Sequence, residues 1–259
     1  MNVSDYLNAT RHVEGWFFPI DAHLFAAVNV MQKQMNVRGN LFEIGVHHGK
    51  TAIFLAQLAS PHEILGVCDV FDWQELNVDH SGGGDRALFE KNMSAYACAA
   101  KLRVFAKPSS GLTTEDTTTT CRFFHIDGGH RPQDVYTDLE TADRALLADG
   151  VVAVDDVFNP NWPSVSEGVY RFLSERPKVF APVFIGGNKV LFARPGMAQR
   201  YRVHALPHHA PFDLGEKEWL GYSVPTVIRR AWVDLDPLAA ARLHFVPRTW
   251  RDRLRRYFL

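Results

Sequence analysis

The sequence predicts an α/β protein: a doubly wound, mainly parallel sheet closed by an antiparallel hairpin and followed by a C-terminal extension. Three observations predict it. Short apolar runs alternate with stretches of helical periodicity from Asn40 to Ala193. Some of these runs, such as Gly150-Val-Val-Ala-Val154, are apolar on both faces, as strands covered by helices on both sides must be. Glycines or acids stand where those runs end, as at Gly45, Asp69, Asp127 and Asp155.

The elements follow in order. Residues 1–38 read as a helical N-terminal segment, with Leu24, Ala27, Val28 and Met31 at helical spacing. Residues 39–195 read as the core. It opens with strand Asn40–Val46, a glycine turn and helix Lys50–Ala59, followed by strand Glu63–Val70. The loop Ser81–Asp85 precedes a helix over 86–99 and a short strand, Leu102–Ala106. Thr113–Thr120 is a polar loop, and Cys121–Asp127 is a strand. Helix 133–147 carries Val135, Leu139, Ala142 and Leu146 on one face, ahead of strand Gly150–Asp155 and helix Val165–Leu173. Val179–Ile185 and Lys189–Ala193 pair around Gly186-Gly187-Asn188 as the closing hairpin. Residues 196–259 form the extension, with short helical pieces expected between Pro207, Pro211, Pro225, Pro237 and Pro247. Its end, Arg248–Leu259, is basic and amphipathic, which suits a solvated helix face or a partner contact.

Composition narrows the function classes. At 259 residues and a net charge of −1, the chain has no general electrostatic attraction for nucleic acid or an anionic membrane. No run approaches 18 apolar residues, and the N-terminus lacks the apolar centre of a signal peptide. Cys68, Cys98 and Cys121 make neither a CxxC pair nor a zinc pattern, so reduced thiols and a cytoplasmic location are expected. A homo-oligomer is compatible with all of this.

Three constellations carry chemistry. Phe42-Glu-Ile-Gly-Val-His-His-Gly-Lys-Thr51 reads E-x-G-x-x-x-G between a strand and a helix. Its glycines let a ligand approach the backbone, and Glu43 suits a ligand with an ammonium group. The spacing fits neither the dinucleotide fingerprint nor a phosphate loop. Asp69 ends the next strand, where a carboxylate accepts hydrogen bonds from ribose hydroxyls in nucleoside-binding folds; Asp72 is less well placed. Asp127, Asp155 and Asp156 then end two strands that should lie about 4.8 Å apart. Three carboxylates there repel one another, and a hard divalent cation removes the conflict, Mg²⁺ ahead of Mn²⁺ or Ca²⁺. His130 follows Asp127 at a loop–helix junction, and an unperturbed imidazole suits removal of a hydroxyl proton. His125 reads as structural, and His47 and His48 as ligand contacts at most.

Together these motifs resemble the class I S-adenosylmethionine-dependent methyltransferases with their Rossmann-like fold. Within that class they look like the metal-dependent sugar O-methyltransferases of the macrocin and mycinamicin type. The resemblance runs over about residues 38–195 through F-E-I-G-V-H-H-G-K-T, H-I-D-G-G-H-R-P-Q-D-V-Y-T-D-L and L-L-A-D-G-V-V-A-V-D-D-V. It implies that Glu43, Gly45 and Gly49 hold the methionine part of S-adenosylmethionine, with Lys50, Thr51 and Asp127 also at the cofactor. It implies Asp69 at the ribose and Ser109 or Ser110 near the adenine. Asp127, Asp155 and Asp156 are the implied metal ligands, and His130, with Asp127, the catalytic pair. The implied acceptor is a hydroxyl of an antibiotic sugar or a methylmannose-type oligosaccharide. Trp162, Phe158 and Tyr170 read either as core packing or as an apolar wall for a sugar ring. A catechol-type O-methyltransferase is the alternative on the same metal logic. A metal-dependent hydrolase would leave the Glu43–Gly49 loop unexplained, and a non-catalytic scaffold would leave the three acids and His130 unexplained.

Overall fold

The structure is a computed structural model that describes residues 2–96, 101–117, 120–205 and 213–228. The N-terminal segment holds α1 (Val3–Ala9) and α2 (Pro19–Gln34). Pro19 starts α2, where a missing N–H costs nothing, and Asp21 Oδ2 accepts the Phe18 N–H. The core then runs β1 (Asn40–Ile44), α3 (Lys50–Leu58), β2 (Ile64–Asp69), α4 (Arg86–Tyr96), β3 (Lys101–Ala106), the short α5 (Thr114–Thr117) and β4 (Cys121–Ile126). It continues through α6 (Pro132–Ala145), β5 (Leu146–Asp155), α7 (Pro163–Glu175), β6 (Ala181–Gly186) and β7 (Lys189–Ala193). Helix α8 (Pro195–His204) and strands β8 (Asp213–Trp219) and β9 (Tyr222–Ile228) complete the described chain.

The strands form one sheet in the order β3-β2-β1-β4-β5-β7-β6-β9-β8. Strands β3, β2, β1, β4 and β5 are parallel, and β7 returns antiparallel to both β5 and β6. Alternate residues serve opposite faces. Phe123 packs with Phe25, Phe54 and Leu191 beneath α2 and α3, while its neighbour Phe124 packs with Phe42, Val135, Leu139 and Phe172 beneath α6 and α7. Both faces are therefore buried, which is why Val151–Val154 can be apolar without interruption.

Two expectations change. The extension does not continue as helical pieces alone: after α8 the chain makes the β8–β9 hairpin, and β9 adds to the sheet beside β6. Leu220 and Gly221 both take positive φ, which matches the two-residue turn that joins twisted strands. Strand β5 also begins at Leu146, so the helix before it stops at Ala145. Arg248–Leu259 and Cys98 lie outside the described residues. Cys68 and Cys121 are both buried. Among the described residues no helix is long and apolar enough to cross a membrane.

Candidate active site

The strand order reverses between β1 and β4, and ligands bind such sheets at the carboxyl ends beside that switch. A cavity of about 730 Å³ lies there, lined by residues from the ends of β1, β2, β4 and β5. Its size falls within the range of small-molecule sites.

The β1 turn forms one wall. Gly45 has φ +79°, and a Cβ there would sit 1.8 Å from the Asp127 carbonyl oxygen, so only glycine fits. Gly49, at φ +90°, caps the N-terminus of α3. Glu43 is 1% exposed; Oε1 lies 2.9 Å from His125 Nδ1, while Oε2 has no partner. Burial pushes the Glu43 carboxyl well above its ordinary range and pushes the His125 imidazole well below, so both rest uncharged. Lys50 and Thr51 also line the cavity, and Lys50 Nζ donates to the Gly15 carbonyl. Asp69 organises the turn itself: its carboxylate accepts the backbone N–H groups of Val46, His47 and Phe71. It still lines the cavity, as do Ser109 and Ser110.

The opposite wall carries the acids. Asp155 ends β5, and Asp156 turns the chain with φ +60°. The two carboxylates diverge as a result. Asp155 accepts the Asp156 N–H at Oδ1 and pairs at Oδ2 with the ammonium of Lys189, which faces it across β5 and β7. Asp156 Oδ2 lies 3.1 Å from His130 Nε2, and its Oδ1 accepts from Asn159 and Asn188. Burial raises Asp127 well above the carboxylate range and the nearby Asp155 raises it further, so Asp127 holds its proton. Burial works against ionised Asp156, but its bonds from His130, Asn159 and Asn188 outweigh it and hold the carboxyl below the usual range.

His130 stands between two carboxylates. Its Nδ1 is 2.8 Å from Asp79 Oδ2, which also accepts the His130 backbone N–H. Burial opposes the imidazolium, but the bonds to Asp156 and Asp79 win and push His130 up to about 9. Trp162 stacks on the imidazole at 4.1 Å and lines the cavity with Phe158. Tyr170 differs from its expected place: it is not among the lining residues and packs instead against Trp219 of β8.

The expected ligand set therefore separates. Ligand atoms of His125, Asp127 and Asp155 lie within 4.8 Å of one another, and Asp156 is outside that group. Its members are already engaged: Asp155 by Lys189 and the Asp156 N–H, His125 by Glu43. Mg²⁺ demands near-ideal octahedral oxygen ligation, and these side chains as arranged do not fit it. The cofactor side is different. An unpartnered, buried Glu43 oxygen beside a glycine turn that no Cβ could occupy fits an ammonium-bearing ligand.

Sequence reasoning missed Lys189, Asp79, Asn159 and Asn188. Asp79 gave only a faint signal, an acid beside the Ser81–Gly84 loop. Lys189 gave none, because a lysine after a Gly-Gly-Asn turn reads as exposed.

Residues 42–157 match a family model described as a methyltransferase domain. No curated protein matches the chain significantly. Among solved structures, the O-methyltransferase NovP aligns with a TM-score of 0.55 at 16% identity, over 67% of this chain and 80% of its own. CalS11, a TDP-rhamnose 3'-O-methyltransferase of calicheamicin biosynthesis, aligns with a TM-score of 0.52 at 16% identity, over 76% and 88%. PaMTH1 of Podospora anserina, a methyltransferase bound to SAH, aligns with a TM-score of 0.52 at 13% identity, over 74% and 87%.

Proposed function

We propose, from the premise that this chain is an enzyme of the class I methyltransferase fold, that it moves a methyl group from S-adenosylmethionine to a hydroxyl of a sugar. The observation that carries the reading is the pairing of two features across one cavity. An unpartnered buried Glu43 oxygen faces it from β1, and a carboxylate-held imidazole, His130, faces it from the loop after β4.

Glu43 would take the cofactor's ammonium group, with Gly45 and Gly49 giving its methionine part room against the backbone. Lys50, Thr51 and Asp127 border the same end, Asp69 the ribose, and Ser109 and Ser110 the adenine. When bound, the cofactor supplies an electrophilic methyl on a sulfonium sulfur. His130 would accept the proton of the acceptor hydroxyl at Nε2, exchanging its bond to Asp156 for one to the acceptor. Asp79 holds Nδ1 and fixes the ring, and Trp162 covers its face. A second positive charge in the cavity lowers the proton affinity of the imidazole toward the range a base needs. Phe158 and Trp162 offer flat apolar surface to a sugar ring, the kind of acceptor that CalS11 is described as methylating.

The expectation of Mg²⁺ rests on Asp127, Asp155 and Asp156; Asp127 and Asp155 group instead with His125, and the pairing of Asp155 with Lys189 opposes a cation there. No step above passes through a metal. Calorimetry with S-adenosylmethionine, then labelled methyl transfer to a panel of sugars and catechols, tests the reading. Transfer to sugars supports it. Transfer to catechols alone, or an absence of cofactor binding, contradicts it.

A further inference from the structure

The floor beneath the cavity contains a side chain that the proposed reaction does not use. Lys189 opens β7, directly opposite Asp155 across an antiparallel pair, so both side chains rise from the same face of the sheet. Its side chain is 0% exposed and its ammonium donates to Asp155 Oδ2. Four acids surround it on different elements: Asp155 on β5, Asp127 after β4, Asp21 on α2 and Glu43 on β1. His125 faces the same centre from β4, and the Phe17 ring lies 5.9 Å from Nζ. Lys189 is thus enclosed by acids from four elements, with Asp155 as its direct partner.

The carboxylates at the ends of this floor are therefore already engaged. Asp155 is bound by Lys189 and the Asp156 N–H, and Asp156 by His130, Asn159 and Asn188. Crowded carboxylates attract a divalent cation when their oxygens lack partners, and here those of Asp155 and Asp156 are taken. A divalent ion at Asp127 and Asp155 would also meet a like charge that cannot turn away, because Lys189 is enclosed.

We infer that Lys189 is the resident cation of the acidic floor, holding Asp155 in place through a buried ion pair, so that this enzyme methylates without a metal. The inference rests on the proposed hydroxyl methylation at this cavity. Lys189 acts through Asp155, which lines the cavity, and is a positioning residue.

The test uses the full chain after dialysis against EDTA. Mn²⁺ binding is followed by electron paramagnetic resonance, which needs neither cofactor nor acceptor. Turnover is then compared in EDTA and in Mg²⁺. The wild type is expected to bind no stoichiometric Mn²⁺ and to turn over within about twofold in both media. Lys189→Ala, relieved of the like charge, is expected to bind Mn²⁺ at least about tenfold more tightly. Its reduced turnover should recover in part when Mg²⁺ is added. One equivalent of Mn²⁺ on the wild type, or turnover silenced by EDTA and restored by Mg²⁺, overturns the inference. A folded Lys189→Ala that still ignores Mn²⁺ overturns it too. If Lys189→Ala fails to fold, the wild-type measurements alone decide. A failure of the methyltransferase reading shows up elsewhere, as absent heat on titrating S-adenosylmethionine, and leaves the Mn²⁺ result readable.

Discussion

Replacing Glu43 by glutamine keeps the shape of the side chain and removes its capacity to become negative. In the free protein the Glu43 carboxyl is held uncharged by burial, with Lys189 pulling the other way and Asp69 and Asp155 adding to the rise. Taking up an ammonium group requires the carboxylate, so cofactor binding must release the Glu43 proton. Affinity therefore increases with pH for as long as Glu43 is protonated in the free enzyme, up to tenfold per pH unit. Losing one partner of a buried, hydrogen-bonded charge pair costs about 2–5 kcal/mol. Glutamine still offers an oxygen, and the native pair must first give up a proton, so the lower end applies. About 2 kcal/mol corresponds to roughly 30-fold weaker binding. Isothermal titration in buffers of different ionisation enthalpy reads both quantities. The wild type should release close to one proton per cofactor bound; Glu43→Gln should release almost none and lose its pH dependence. Equal affinity and equal proton release in the two proteins would refute the assignment of Glu43 to the ammonium.

Other substitutions test the remaining walls. His130→Ala should lower kcat by about 10²–10⁴-fold while cofactor affinity by calorimetry stays within about twofold. In the free enzyme the imidazole is raised to about 9, so its basic form accumulates only as pH climbs through that value; kcat/KM should rise toward pH 9, and Asp79→Asn should move this limb to lower pH. Gly45→Ala places a Cβ 1.8 Å from the Asp127 carbonyl at φ +79°, and should abolish cofactor binding and lower Tm in a thermal melt. On the far side of the core, Arg122 is held by a two-pronged pair with Glu63 at 2.8 Å per contact, and by Gln32 and the Leu58 carbonyl. Glu63→Ala strands that buried guanidinium, which should cost about 3–5 kcal/mol. For a chain of this size that lowers Tm by roughly 6–20 °C, read by calorimetry, with the active-site pH profile unchanged.

The parallel half of the sheet was legible because its burial is two-sided. Phe123 and Phe124 each need an apolar environment, and only a strand covered on both faces supplies two of them. The glycine turn was legible for a steric reason, since the Gly45 position admits no Cβ at all. The β8–β9 hairpin was not legible. Glu216-Lys217-Glu218 is polar throughout, and its strand character comes from pairing with Val224 and its neighbours on β9 rather than from any alternation of its own. At the site, the acids were visible because each ends an apolar run, but their partners were not. Lys189 lies 34 residues beyond Asp155, and Asp79 lies 51 residues before His130, so only the tertiary fold brings each pair together. Without Lys189 in view, the acids read as a metal site; with it, two of them read as ion pairs and the third as a proton holder.

The most direct measurement is transfer of a labelled methyl group from S-adenosylmethionine to a panel of sugars bearing free hydroxyls, with wild type and His130→Ala assayed side by side. The wild type should yield an O-methyl sugar and the variant none, although both bind the cofactor. An equal yield from both proteins would contradict the role given to the imidazole, and the absence of any methylated sugar from the wild type would contradict the function itself.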